Sequence, residues 1–207
     1  TDWVAAGAAA YGDADMVVPG EKSAHLDDIY EKAKEAYFEN KEDRGKPYAM
    51  MVIAEGDSIE GLDPHVKSDE IHLDDFGHPK LDPNYLVSAL SDAIRSKTKE
   101  EFGEMIKTAP SSLTYQLRIG KPLKIDEDFG FRCGQKCVEI LDEDPGNMAS
   151  IQKDGDDLKV GKMDLVEGSK VSRVSDTDYI DYDNLEVTES FFDYARPFMG
   201  ERKKRQV

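Results

Sequence analysis

The segment 47–56 constrains the fold most, because it is apolar almost throughout and then ends on a carboxylate and a glycine. An apolar run without alternation predicts a strand over 47–54 that is buried on both faces of an α/β sheet. In open sheets of this class, ligands bind just beyond the carboxyl ends of the strands. Glu55 is therefore the first candidate site residue. The alternative is that Glu55 only caps the turn that Gly56 permits.

Helix and strand patterns alternate on both sides of this segment. The predicted elements are a helix over 3–11, a strand over 14–18, a helix over 27–40, helices over 85–96 and 98–107, a short strand over 111–115, a helix from Asp126 to about Leu141, strands over 147–152 and 157–163, and a last helix near 188–195. The glycine- and proline-rich stretch 57–84 predicts a long loop. This order is typical of an α/β protein with a parallel sheet covered by helices.

The charge excludes some partners. The chain has 207 residues, with 44 acidic and 27 basic side chains and a formal net charge of −17. Such a field repels phosphate backbones and anionic membranes, so we expect no nucleic-acid or membrane partner. No apolar stretch has the roughly 20 residues that a membrane helix needs, and no signal peptide is visible, so we expect a cytoplasmic protein.

The cysteines and histidines match no metal signature. Cys133 and Cys137 lie four residues apart on a predicted helix, which puts them on one face, and we interpret them as small core residues of a reducing compartment. Zinc or redox use is the alternative. His25 stands apart, while His65, His72 and His78 lie in an acidic loop that could be a metal site or only a solvated loop.

Three side chains follow predicted strands at the expected ligand edge: Glu55, Tyr115 and Arg118. A carboxylate accepts hydrogen bonds from sugar hydroxyls, a guanidinium binds phosphate through two parallel bonds, and a phenol adds a neutral donor. Together they predict a sugar-phosphate pocket. The alternatives are a surface ion pair for Arg118 and a half-buried strand aromatic for Tyr115.

Six segments resemble, in the same order, the C-terminal half of the 6-phosphofructokinases. They are Trp3-Val4-Ala5-Ala6-Gly7-Ala8, Ala14-Asp15-Met16-Val17-Val18-Pro19, Val52-Ile53-Ala54-Glu55-Gly56, Asp75-Phe76-Gly77-His78-Pro79-Lys80-Leu81, Leu113-Thr114-Tyr115-Gln116-Leu117-Arg118 and Tyr194-Ala195-Arg196-Pro197-Phe198. The tyrosine in the fifth segment is more similar to the pyrophosphate-utilising branch than to the short ATP enzymes. The resemblance implies a three-layer sandwich with a mainly parallel sheet.

The resemblance also implies roles. Glu55 matches the glutamate that binds the sugar of fructose 6-phosphate, and Tyr115 and Arg118 match the pair that binds its 6-phosphate. The family's catalytic aspartate and donor-binding glycines would precede Thr1, so we expect no catalytic residue in this chain, magnesium held mainly by a donor half, and ATP or pyrophosphate bound there. A homo-oligomer is expected. Three positions depart from the family pattern: Asp2 replaces a glycine, Gly20 interrupts a Pro-Glu pair, and no arginine stands near Ala109.

The expected organisation follows from the same resemblance. Residues 1–118 would form the sugar-phosphate domain, 119–165 would pack on the donor domain, 166–200 would return to the sugar domain, and 201–207 would be a basic tail. We therefore expect 119–163 to expose apolar side chains when the donor half is absent. The expected function is glycolytic phosphoryl transfer to the 1-hydroxyl of fructose 6-phosphate. The alternatives are a non-catalytic sugar-phosphate-binding or regulatory module and an acidic structural domain without a ligand.

Overall fold

The structure is a computed structural model that describes residues 2–54, 59–62, 83–113, 116, 119–155 and 157–202. It divides into two compact units. The first comprises Thr1–Tyr115, Arg173–Phe191 and Lys203–Val207, and the second comprises Gln116–Ser172 and Phe192–Arg202. The roles assigned above to 1–118, 119–165, 166–200 and 201–207 remain predictions.

The chain is a mixture of helices and short strands. In order, the elements are α1 (Asp2–Gly12), β1 (Met16–Val18), α2 (Leu26–Arg44), β2 (Met51–Ile53), α3 (Pro83–Phe102), α4 (Lys124–Glu143), β3 (Asn147–Asp154), β4 (Asp157–Asp164), α5 (Leu165–Gly168), a 3₁₀ turn (Val174–Asp176), β5 (Ile180–Asp181), β6 (Glu186–Val187) and α6 (Glu189–Met199). None of the helices that the structure describes is long and apolar enough to cross a bilayer.

The first unit is built around the parallel pair β1–β2, in the register Met16↔Met51, Val17↔Val52 and Val18↔Ile53. β1 is fully buried and forms the centre of the core. The core side chains come mainly from β1, α2 and α3, with Leu185 from the segment before β6; they are Met16, Val18, Ala24, Leu26, Ile29, Tyr30, Ala33, Ile59, Leu90, Ile94 and Leu185. The predicted helix–strand–helix–strand order is confirmed in this unit.

The strand predicted over 47–54 is shorter and less buried than expected. β2 covers only Met51–Ile53, and its three side chains are all half-buried. Met51 and Ile53 pack against the core, whereas Met50 is 40% exposed. The fully buried strand is β1, because α1, α2 and Leu185 all pack against it. The apolar run therefore identified a strand of the sheet but not the most buried one.

The two helices predicted over 85–96 and 98–107 are one helix, α3. No glycine or proline separates the two halves, so the backbone hydrogen bonds continue to Phe102. The helix ends at Gly103, which has a left-handed backbone (φ 78°) and whose N–H donates to Lys99 O at 2.9 Å. The strand predicted over 111–115 is wrong for 111–113, which are not in a strand, and its last two residues lie outside the described residues.

The second unit combines α4 with a hairpin. β3 and β4 pair antiparallel over eight residues, from Asn147↔Asp164 to Asp154↔Asp157, as the turn at Gly155 predicts. Asp126 does not begin α4 as predicted. It lies in the first turn and accepts the N–H of Leu123, the N-cap residue, at 3.1 Å.

Much of the apolar surface in the second unit is exposed, as predicted for 119–163. Phe131 is 69% exposed, Val138 62% and Leu141 75%, and Ile151 on the hairpin is 50% exposed. Both cysteines are free thiols. Cys137 is exposed and Cys133 is half-buried, because the residue that α4 buries is Ile140, so the assignment of Cys137 to a core was wrong.

Candidate functional site

The three predicted site residues, Glu55, Tyr115 and Arg118, lie outside the described residues. The structure does describe the chain that leads into Glu55. Ala54 follows β2 directly, is 2% exposed, and donates its N–H to Val18 O at 2.9 Å. Because β1 and β2 are parallel, this bond places the end of the described chain at the carboxyl edge of the pair. That is the edge where α/β sheets bind ligands.

The structure describes the chain again from Ile59, which lies beside the segment that follows β1. Glu60 N donates to Ala24 O at 2.9 Å, and Leu26 N donates to Glu60 O at 2.8 Å. Ile59 is 6% exposed and belongs to the core. The two described residues on either side of 55–58, Ala54 and Ile59, are therefore both held beside β1 or the segment that follows it.

A buried aspartate fixes the loop after β1. Asp2 is 2% exposed, its Oδ1 accepts the N–H of Gly20 at 2.8 Å, and its Oδ2 accepts the N–H of Glu21 at 3.1 Å. A carboxylate bound by two amides satisfies both partners in a buried place. Two departures from the phosphofructokinase pattern, Asp2 and Gly20, are thus hydrogen-bond partners. The sequence showed both departures, but 18 residues separate them and nothing in the pattern paired them.

The two residues after Gly20 are charged, and both contact a later segment of the chain. Glu21 accepts the N–H of Ser175 at 2.8 Å, and the Lys22 ammonium lies 4.2 Å from the centre of the Tyr182 ring. The Tyr182 hydroxyl is buried, and it has no hydrogen-bond partner among the described residues. Burial, followed by the carboxylates of Asp2, Glu21 and Asp176, raises the pKa of Tyr182 to about 12. Tyr182 therefore remains a neutral donor at physiological pH. Sequence reasoning missed it.

The remaining candidate residues are the four histidines. His25 is the N-cap of α2, and its Nδ1 accepts the N–H of Asp27 at 3.1 Å. His65, His72 and His78 fall outside the described residues. Among the residues that are described, no group of three histidine, cysteine or carboxylate side chains could hold a metal ion.

A network of polar side chains ties α2 to α3. The Tyr30 hydroxyl donates to Glu101 at 2.6 Å, Lys34 Nζ lies 3.0 Å from Glu101, and Lys97 pairs with Asp27. Burial, with the Glu101 hydrogen bond and charge, raises the pKa of Tyr30 to about 12. The Tyr30 hydrogen bond and the Lys34 contact hold the pKa of Glu101 below its usual value. An open depression of about 380 Å³ beside this network is lined by Tyr30, Lys97 and four carboxylates, and the excess of negative charge is unfavourable for an anion.

Comparison with known proteins gives structural matches only. No family model matches the chain, and no curated protein matches its sequence. The solved structures that match include the pyrophosphate-dependent phosphofructokinases of Nitrosospira multiformis, with a TM-score of 0.60, and of Marinobacter aquaeolei, with a TM-score of 0.59. The chain has a phosphofructokinase-like fold.

The match covers most of this chain but less than half of each phosphofructokinase. Each phosphofructokinase is 16% identical to this chain, and each match covers 93% of this chain but 42% of the enzyme. The chain thus spans less than half the length of these structures. At this identity the likeness shows the phosphofructokinase-like fold alone.

Proposed function

We propose that this chain forms the fructose 6-phosphate side of a phosphofructokinase-type phosphotransferase. The observation that carries the proposal is the likeness to two pyrophosphate-dependent phosphofructokinases over 93% of the chain. In the reaction, the 1-hydroxyl of fructose 6-phosphate attacks the terminal phosphoryl group of ATP or pyrophosphate. Catalysis would depend on alignment of the two reactants and on neutralisation of charge.

Three residues would bind the acceptor. Arg118 would bind the 6-phosphate through charge-assisted hydrogen bonds, Tyr115 would add a neutral donor to the same phosphate, and Glu55 would accept hydrogen bonds from sugar hydroxyls. The position of Ala54, bonded to Val18 at the carboxyl edge of β1–β2, supports the role of Glu55. No catalytic residue is assigned to this chain.

Magnesium does not fit the residues that the structure describes, because no three of their carboxylate, histidine or cysteine side chains converge. We therefore assign magnesium and the phosphoryl donor to a donor half, and no step here passes through the ion. The proposal includes a three-layer sandwich with a mainly parallel sheet, a cytoplasmic location and a homo-oligomeric enzyme. Among the described strands, one pair is parallel and two are antiparallel.

The test uses a protein that contains both halves and compares Arg118→Ala with Arg44→Ala. Loss of a charge-assisted bond should weaken binding of fructose 6-phosphate by roughly 1.5 to 3 kcal/mol and leave binding of ATP or pyrophosphate unchanged. Arg44→Ala removes the same charge at the end of α2 and should change neither affinity. Equal loss of both ligands in Arg118→Ala would contradict the assignment.

The second candidate is a non-catalytic sugar-phosphate-binding or regulatory module. It agrees with the comparisons as well as the enzyme does, because structures that are 16% identical to this chain show its fold alone and not its chemistry. Assays of the 207-residue chain should show no turnover of fructose 6-phosphate with either donor. Turnover by the natural full-length protein supports the enzyme, whereas binding without turnover by that protein supports the module. Absence of sugar-phosphate binding would leave only a structural role.

A further inference from the structure

The apolar run that contains β2 does not fix its own register against β1. Residues 49–54 read Ala-Met-Met-Val-Ile-Ala, without alternation, so a shift along β1 would exchange one apolar face for another. β2 is only three residues long, and its side chains are half-buried. A shift by one residue would move the end of the strand by about 3.3 Å. Other contacts must therefore select the observed register, in which Met51 faces Met16.

Asp15, directly before β1, binds the backbone of Met50, directly before β2. The N–H of Asp15 donates to Met50 O at 2.8 Å, and Asp15 Oδ2 accepts the N–H of Met50 at 2.7 Å. One residue thus pairs both backbone groups of Met50, and a shift by one residue would turn those groups away. These two bonds do not by themselves exclude a shift by two residues, because the backbone of a strand repeats every second residue.

Asn40 on α2 excludes the larger shift. Its Nδ2 donates to Asp15 Oδ1 at 3.1 Å and to Tyr48 O at 3.0 Å. Asn40 is 5% exposed, on the helix face that also buries Ala36. A shift by two residues would carry Tyr48 about 6.6 Å along the strand and leave a donor of Asn40 unpaired in a buried place, which is costly. A buried asparagine is known to specify register in the same way between packed helices.

The same register determines where the chain leaves the sheet. Ala54, the last residue described after β2, donates its N–H to Val18 O at 2.9 Å in the register that pairs Ile53 with Val18. Glu55 follows Ala54 directly in the sequence. A change of register would therefore displace the residue that precedes Glu55 by one or two residue lengths along β1.

We propose that Asp15 and Asn40 are positioning residues for the candidate site, because they fix the register of β2 and hence the point at which the chain leaves the sheet before Glu55. They act through the backbone of Met50 and Tyr48 and not on a ligand. The effect on sugar-phosphate binding rests on the proposed function, whereas the effect on the register does not.

The test measures the register by NMR, through the scalar couplings that cross the hydrogen bonds from Asp15 N to Met50 O and from Ala54 N to Val18 O in the isotope-labelled 207-residue chain. The wild type should show both couplings. Asn40→Leu keeps the bulk of the buried side chain but removes both donated bonds, so the coupling between Ala54 and Val18 should be lost. Asp15→Asn keeps an acceptor for the N–H of Met50 and should retain more of this coupling than Asp15→Ala.

Ile94→Ala is the control for stability. Ile94 is 6% exposed in the same core, and its truncation lowers stability without removing a polar group. It should keep both couplings even where its midpoint in urea is as low as that of the Asn40 and Asp15 variants. Asn40→Leu and Asp15→Asn decide the matter if Asp15→Ala does not fold. Couplings that stay unchanged in Asn40→Leu and in the Asp15 variants, or that are lost equally in Ile94→Ala, would overturn the proposal.

A titration of the same samples with fructose 6-phosphate tests the consequence for the site. Asn40→Leu should weaken binding about tenfold, the effect of losing one hydrogen-bonded contact, whereas Ile94→Ala should bind as the wild type does. Absence of binding by the wild type would contradict the proposed function, and the couplings would still decide the register. Wild-type affinity in Asn40→Leu, together with a lost coupling between Ala54 and Val18, would overturn the positioning role.

Discussion

At the scale of single residues, the hydrogen bonds of Asp2 explain why this position departs from the family pattern. Its carboxylate is buried and accepts the N–H groups of Gly20 and Glu21. A glycine at position 2 would leave both amides without this acceptor. We infer that Asp2 and Gly20 compensate each other, and that the pair holds the loop at the carboxyl edge of β1.

This pairing predicts a graded series. Asp2→Gly should lower the free energy of unfolding by about 1 to 3 kcal/mol, the cost of leaving buried amides unpaired, and Asp2→Asn should lose less because it keeps one acceptor oxygen. Deletion of Gly20 in the Asp2→Gly background should recover part of the loss. Urea unfolding measures these three variants and the single deletion of Gly20, which completes the cycle. Strictly additive effects of the substitution and the deletion would show that the two departures are unrelated.

At the scale of elements, the sequence predicted which segments are helical or extended better than it predicted where they end. The hairpin β3–β4 was predictable because its turn residues and alternation are local. The continuity of α3 was predictable too, since no glycine or proline stands at 97 and Gly103 marks the actual end, so the break predicted at 97 was wrong. β1 is more buried than β2 because its neighbours include residues far along the chain, such as Leu185. The partnership of Asp2 with Gly20 has the same long-range origin.

The contacts of Tyr30 and Lys34 on α2 with Glu101 on α3 predict that the free energy of unfolding depends on pH. The pKa of Glu101 is lowered by the Tyr30 hydrogen bond and by Lys34. Its stabilising effect is therefore present above the unfolded-state pKa and is lost as the pH falls through the lower folded-state value. Glu101→Gln should reduce stability at pH 7 and show a smaller further loss between pH 5 and pH 3 than the wild type does.

Glu100→Gln is the control for this experiment. Glu100 lines the same depression, but its side chain makes no hydrogen bond or ion pair with a described residue. Urea unfolding at the two pH values should give it a profile parallel to that of the wild type. Parallel profiles for Glu101→Gln as well would mean that the carboxylate does not tie the two helices.

At the scale of the whole molecule, the chain combines a unit with a buried core and a unit with exposed apolar side chains. β1 and its neighbours are buried, whereas Phe131, Val138 and Leu141 on α4 are more than 60% exposed. Soluble monomers rarely expose large contiguous apolar surface. If the proposed function is correct, a donor half would cover this surface.

The second unit should therefore bind a hydrophobic dye. We expect enhanced dye fluorescence with the 207-residue chain, and a clear decrease in the double variant Phe131→Ser/Leu141→Ser. Val171→Ser is the control, because Val171 is 77% exposed but lies outside α4 and the hairpin. A donor half added as a separate chain should suppress the signal. Fluorescence that does not change in the double variant would mean that the dye binds elsewhere.

The most direct test of the central claim is an experimental structure of the chain in complex with fructose 6-phosphate. We predict that the 6-phosphate lies within hydrogen-bond distance of Arg118 and Tyr115, and that Glu55 accepts a bond from a sugar hydroxyl, all at the carboxyl edge of β1 and β2. A sugar phosphate bound elsewhere, or Glu55 and Arg118 directed to opposite faces of the molecule, would contradict the claim that this chain provides the acceptor side of a phosphofructokinase-type site.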